Sequence, residues 1–323
     1  MKKAWLIFIA AALAPACSTH FHIDLLGTEE LQEVVLRPSP APAKILVLDI
    51  EGTIASFADA GTFSREGDVL SRIYARLERA AADPQVKAVI LRLDTPGGEV
   101  TASDIIYREI LRFKERTGVP VIGLMMSVAA SGGYYVAQAC DAVLAHPSTI
   151  TGSIGVISVF PSVASLFDKI GVQMNIVKSG GMKDAGSPFR TMTDEERRSF
   201  QGMIDEYYEN FLRIVLRGRK NALSEAELRP LADGRVFTAT QALRFKLIDA
   251  VGYFDDAVAK ALESAGLRAA RIVGLTYFPK SKTNLYAAGM SLAQPPSAAA
   301  PLDKFLPTLR SGFYYLWLPN AGK

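Results

Sequence analysis

The chain has 323 residues, 49% of them hydrophobic and 21% charged, enough for one large core or two small ones. A formal net charge of +3, with no basic run interleaved with aromatics, gives no footprint for nucleic acid. Two cysteines, Cys17 and Cys140, cannot make a disulfide framework, and the absence of CxxC, HExxH or a carboxylate cluster argues for no metal; nothing points to a cofactor.

At the N-terminus Lys2 and Lys3 precede an apolar stretch from Ala4 to Ala16. It is shorter than the about 20 residues of a transmembrane helix, so it reads as a secretory signal. Leu13-Ala14-Pro15-Ala16-Cys17 resembles a lipobox, whose cysteine becomes the lipidated end of a bacterial lipoprotein; Ala14, where leucine is commonest, and Pro15 depart from the pattern. Plain secretion and an uncleaved anchor are the alternatives. All three place the body outside the cytoplasm, at or near a membrane. The expected segments are a signal peptide over 1–17, a tether over 18–43 whose end, RPSPAPAK, is extended and semi-rigid, a body over 44–267 and a C-terminal extension over 268–323.

The body opens with a β-branched strand, Ile45 to Ile50, and a turn at Gly52-Thr53-Ile54. Arg72 to Ala82 carries Ile73, Leu77, Ala80 and Ala81 at helical spacing, and Asp83-Pro84 ends that helix. Val86 to Leu93 is a buried strand; DTPGGEV follows, then a helix from Ala102 to Arg116. Val119 to Met126 is the next apolar strand, breaking into Ala129, Ala130, Ser131, Gly132 and Gly133 before a helix over Tyr134 to Ala139. Cys140 at its end is most simply a small buried hydrophobe. Repeated strand–helix units imply a parallel sheet. Thr193 with Glu196 fits a capping box, opening a long amphipathic helix through Phe200, Ile204, Tyr207, Tyr208, Phe211, Ile214 and Val215, a core stripe or subunit contact. Ser224 starts another capped turn; shorter helices follow over Thr240 to Phe245 and Gly252 to Ala265. Past the linker-like QPPSAAAP, the aromatics Phe305, Phe313, Tyr314, Tyr315 and Trp317 read as a segment packed on the body or on a neighbour, or as a membrane-surface contact.

Ser131 sits where a nucleophile is well placed: on a tight turn between a buried strand and a helix, at the C-terminal edge of a sheet. Taken alone, the stretch reads equally as a glycine-rich packing turn. A nucleophilic serine needs a base. Of the histidines, His20 and His22 lie near the N-terminus and His146 precedes Pro147, so a Ser-His-Asp triad is poorly supplied. A lysine kept neutral by burial can replace histidine. Lys183, in the glycine-rich SGGMKDAGSPFR, is a candidate; by itself it reads as solvated surface.

ASGGYY around Ser131, TGSIGV from Thr151, GGMKDAGSPFR around Lys183, DTPGG from Asp94 and ADGRVFTATQAL from Ala232 together resemble the signal peptide peptidase A family of serine–lysine proteases. The resemblance runs from about Lys44 to about Leu267, with the motifs in the family's order. It implies an α/β fold, the Clp/crotonase-like ββα superhelix with parallel sheets, here between an N-terminal signal or lipid-anchor segment and an aromatic C-terminal tail. It implies Ser131 as nucleophile, Lys183 as general base and Ser153 as the hydroxyl that orients the lysine. Gly98 and Gly132, with Gly97 beside them, are implied as the oxyanion hole; glycine permits the close backbone approach such a hole needs. It further implies a membrane-associated endopeptidase acting on signal-peptide remnants and other unfolded peptides. A homo-oligomeric ring is expected, an octamer being one form, with serine and lysine from neighbouring protomers. Three other readings compete: a crotonase-type acyl-CoA enzyme, which needs no Ser/Lys pair; a non-catalytic scaffold on the same fold; and a related membrane protease with a narrower substrate.

Overall fold

A computed structural model describes residues 31–56, 69–220, 222–276 and 313–317. The strand β1 (Gln32–Arg37) is followed by β2 (Lys44–Glu51), α1 (Val69–Ala81), β3 (Val86–Thr95), β4 (Gly97–Glu99) and α2 (Val100–Thr117). Next come β5 (Val121–Ala130), α3 (Gly132–Ala137), β6 (Ala142–Ala145), β7 (Ile150–Gly152), β8 (Ile157–Ser158) and α4 (Ala164–Ile170). The remainder is α5 (Asp194–Gly218), α6 (Glu225–Leu228), β9 (Val236–Thr238), α7 (Ala239–Arg244), β10 (Ala250–Val251), α8 (Phe254–Ser264), β11 (Arg271–Thr276) and β12 (Phe313–Leu316).

Among the described residues one sheet runs β1-β11-β2-β3-β5-β6-β10, with β7 paired to β5 and β9 to β7. The pairs β11·β2, β2·β3, β3·β5, β5·β6, β5·β7 and β6·β10 are parallel. This is the α/β architecture of the Clp/crotonase class. The strands β2, β3 and β5 are buried on both faces because their sequences are apolar at consecutive rather than alternate positions. One face packs Leu46, Leu48, Val89 and Leu91 under α1, α2 and α3, with Phe211 and Val215 of α5. The other packs Ile45, Val47, Ile90 and Leu124 against Phe254, Val258 and Ala261 of α8. The aliphatic ladders of the three central strands therefore feed two cores, one per face.

The sheet is wider than the boundaries expected from sequence. Residues 32–37, read as part of the tether, pair antiparallel with Arg271–Thr276, a segment read as extension. The reason is an edge requirement: β2 would otherwise expose an unpaired row of backbone groups, and β11 and β1 cover it in turn. The capping boxes stand where they were read. Thr193 Oγ1 accepts from Glu196 N–H and the Glu196 carboxylate accepts from Thr193 N–H. Ser224 and Glu227 do the same for α6. No helix of the described residues is long and apolar enough to cross a membrane. Residues 1–17, with Cys17, lie outside the described residues, as does Phe305.

Candidate active site

Three neighbouring parallel strands deliver the candidate residues at their C-terminal ends. The strand β3 runs into Gly97 and Gly98, β5 into Ser131 and β7 into Ser153. Register fixes them side by side, with Thr95 opposite Ala129 and Ala130 opposite Gly152. Ser131 N–H donates to the Gly152 carbonyl at 2.8 Å, and the Ser131 carbonyl accepts from Tyr135 N–H at 2.9 Å. Ser153 N–H donates to the Arg235 carbonyl at 2.8 Å. Both serines are non-glycine residues in positive φ, 52° at Ser131 and 51° at Ser153. With ψ −113°, Ser131 occupies a region that costs on the order of 1–3 kcal/mol. Such strain persists only where the surroundings hold it. Here α3 begins directly at Gly132, and a Cβ on Gly133 would lie 2.6 Å from Thr95 Cγ2, so only small residues fit beneath the turn.

The glycine loop is held against that turn. Thr95 Oγ1 accepts from Gly97 N–H at 3.0 Å. Ile54 N–H donates to the Gly97 carbonyl at 2.9 Å, and Glu99 N–H to the Ile54 carbonyl at 2.8 Å. Residues along a strand turn their backbone groups to alternate edges. Gly98 therefore turns its N–H away from Ile54, toward the other edge of β4. A Cβ on Gly132 would fall 3.2 Å from both Gly97 Cα and Gly98 N. The Gly98 and Gly132 backbones thus lie against each other beside the strained serine turn. The Thr-Pro-Gly-Gly spacing is the only sequence signal for Thr95, and the turn at Ile54, legible as a turn, carries no signal of its bridge to Gly98.

Around this centre aromatic side chains pack against α3. Tyr135 packs on Tyr107, Phe211 and Tyr315 with centroids 5.5, 5.1 and 5.1 Å away. Burial pushes the phenols of Tyr134 and Tyr135 well above their ordinary range, and each hydroxyl is engaged, with the Leu247 carbonyl at 2.8 Å and with Asp104 at 2.6 Å. Neither is a base. His146 is turned elsewhere, edge-on to Tyr253 with its Nδ1 2.8 Å from the Ser148 hydroxyl. Cys140 packs on the core, its thiol pushed up to about 12 by burial. A cleft of about 550 Å³ opens beside Ser153, between Ile157, Tyr208, Gly234 and Trp317.

Lys183 stands apart. It lies on a 3₁₀ turn, Gly181–Asp184, and its ammonium has no hydrogen bond or ion pair among the described residues. Every residue from 171 to 183 is exposed, and Val172–Lys178 belongs to no helix or strand. This arm carries Ile170, Val172, Met174, Ile176, Val177 and Met182 to solvent, Val177 fully. Its base is clasped. Arg190 binds Asp184 at 2.8 Å and also Glu196, and Lys178 Nζ donates to Asp184 at 2.5 Å. Those partners hold the Asp184 carboxyl well below its usual range and Glu196 down at about 2. A single chain thus brings Ser131, Ser153, Gly97, Gly98 and Gly132 together and leaves Lys183 outside, without a hydrogen bond to Ser131.

The fold defines an α/β protein of Clp/crotonase-like architecture, with Ser131 on a strained turn beside the Gly97-Gly98 loop. Residues 114–268 match Peptidase family S49. The protein named "Putative signal peptide peptidase SppA" of Enterococcus faecium is 33% identical over 232 residues, 72% of this chain and 67% of that protein. Protease 4 of Haemophilus influenzae is 38% identical over 220 residues, 68% of this chain but 34% of that longer protein. The chloroplastic serine protease SPPA of Arabidopsis thaliana is 33% identical over 228 residues, 70% of this chain and 33% of its own. The chain belongs to the signal peptide peptidase A family, peptidase family S49, and is a serine protease.

Proposed function

We propose that this protein is an endopeptidase on the extracytoplasmic face of a bacterial membrane, with Ser131 and Lys183 as its catalytic dyad. The observation that carries the reading is the convergence at one point of Ser131, strained at φ 52°, and the Gly98 and Gly132 backbones. Ser131 attacks the scissile carbonyl while Lys183, as the neutral amine, removes its proton and later protonates the leaving amine. The Gly98 and Gly132 N–H groups hold the oxyanion. The same lysine then activates the water that hydrolyses the acyl-enzyme, and Ser153 orients its amine. The exposure of Lys183 supports a lysine supplied to a neighbouring protomer, because insertion into a partner's site would desolvate the amine and favour its neutral form. The apolar arm that carries it supports a homo-oligomeric ring, since so much exposed hydrocarbon on an unpaired segment calls for a partner surface. Relatives named signal peptide peptidases, together with the N-terminal apolar stretch and Cys17, support membrane attachment and signal-peptide remnants as substrates. A fluorophosphonate probe with peptide mapping tests the chemistry. Label on Ser131, absent from Ser131→Ala, is expected; label on another serine of an active preparation overturns the assignment. Intact-mass spectrometry of the membrane fraction tests the anchor, and a mature chain beginning elsewhere than at an acylated Cys17 rules it out.

A further inference from the structure

Glu99 is an unexpected residue at its position. It is the N-cap of α2, a place that short side chains such as Asp, Asn and Ser fill by accepting from the helix's own first N–H groups. Glu99 makes no such bond. Its carboxylate is turned the other way, toward the chain leaving β2. There Oε2 accepts from Ser56 N–H at 2.9 Å and from the Ser56 hydroxyl at 2.6 Å. The reason lies in the ladder beside it. After β2 the chain runs parallel to β4, with Ile54 bridged to Gly98. Ile54 N–H donates to the Gly97 carbonyl at 2.9 Å, and Glu99 N–H to the Ile54 carbonyl at 2.8 Å. In a parallel pair the next rung would run from Ser56 N–H to the Glu99 carbonyl. That carbonyl is turned into α2, which begins at Val100, and accepts from the Ser103 hydroxyl at 2.9 Å. The Glu99 carboxylate supplies the missing rung instead. Ser103 carries the contact across to the serine turn: it is wholly buried, and a Cβ on Gly132 would lie 2.5 Å from its Oγ. Glu99 is thus joined by its side chain to the segment that backs Gly98, and by its carbonyl to the hydroxyl packed on Gly132.

We propose that Glu99 is a positioning residue for the reaction: its two bonds to Ser56 hold β4 so that the Gly98 N–H stays fixed relative to Ser131. This rests on the reading of Gly98 as an oxyanion donor. A strand of three residues held by two main-chain rungs on this edge can pivot about them, and the third rung fixes its angle. A misplacement of about 1 Å in a catalytic group can cost about 100-fold in rate, so a loosened donor is felt in the chemical step. Glu99→Ala in the full chain should lower kcat on a fluorogenic peptide about tenfold, with KM within about twofold. Glu99→Gln keeps an oxygen acceptor and should recover most of that rate. Ser56→Ala loses only the hydroxyl's bond; it should cost about threefold in the wild-type chain and nothing further in Glu99→Ala, because the two residues act as one unit. Hydrogen exchange at the 97–99 amides, followed in full-length chains that also carry Ser131→Ala, should quicken about tenfold with Glu99→Ala and stay near the parent's rate with Glu99→Gln. Unchanged exchange in folded Glu99→Ala overturns the proposal whatever the rate of hydrolysis. A loss carried by KM alone overturns it as well, as does a full additional loss from Ser56→Ala in the Glu99→Ala chain. Should Glu99→Ala fail to fold, Ser56→Ala removes a single oxygen and carries both readouts. If exchange quickens while kcat holds, the tie to Ser56 is real and it is the reading of Gly98 as a donor that fails.

Discussion

At Gly98 a methyl group would stand 1.9 Å from the Ile54 carbonyl oxygen, a backbone atom that cannot swing aside. Gly98→Ala must therefore push β4 off its partner and carry the N–H away from Ser131. Losing one oxyanion donor costs about 100- to 1000-fold in kcat. Steady-state kinetics on a peptide substrate check this, with KM less affected than kcat. The positive φ of Ser131 makes a separate prediction about two inactive variants. Ser131→Ala keeps the strained backbone; Ser131→Gly relieves it and gives back part of the gain through a freer unfolded chain. The glycine variant should melt higher than the alanine variant, by about 1–2 °C for about 1 kcal/mol in a chain of this size. Calorimetry of the pair decides, and equal melting points would mean that the turn is not strained. The serine turn was legible because strand, small residues and helix follow one another locally. Its dihedral was not, since that depends on β7 and α3 gripping it from both sides.

The helix α5 and the arm before it share one electrostatic clasp. Glu196 accepts from Arg190 and from Thr193 N–H, and these hold its carboxyl down at about 2, against an ordinary value of 4.5. A depressed carboxyl stabilises fully above its unfolded value, and the contribution is lost as pH falls through the folded value. Glu196→Gln should thus lower the melting temperature by a constant amount above about pH 5, and the gap to wild type should close as pH approaches 2. A gap independent of pH would show that the clasp is not ionic. At this scale sequence legibility tracks length. The strands β2, β3 and β5 and the capped α5 announce themselves by apolar runs and a Thr-x-x-Glu start. The elements β4, β8 and β12 are two to four residues long, too short for any period to register. The pairing of β1 with β11 joins segments far apart in sequence, which no local pattern encodes.

For the whole molecule, the exposed Lys183 makes a prediction about mixtures. Ser131→Ala and Lys183→Ala chains should each be inactive alone and regain activity when mixed under conditions of subunit exchange, because some interfaces then pair an intact serine with an intact lysine. Persistent inactivity, with exchange verified by native mass spectrometry, rules out a shared site. Val177, fully exposed on the arm, supplies the complementary test: Val177→Asp should leave the monomer's melting temperature within about 1 °C while lowering oligomer mass and activity together. The arm has a further consequence for dose. A protease whose base arrives only from another copy has a specific activity that depends on its own abundance. Serial dilution below the dissociation constant of the assembly should silence it, and the rate per chain should climb steeply over a narrow range of concentration. Newly made copies, while sparse, would then be harmless to the proteins around them until enough had gathered to meet.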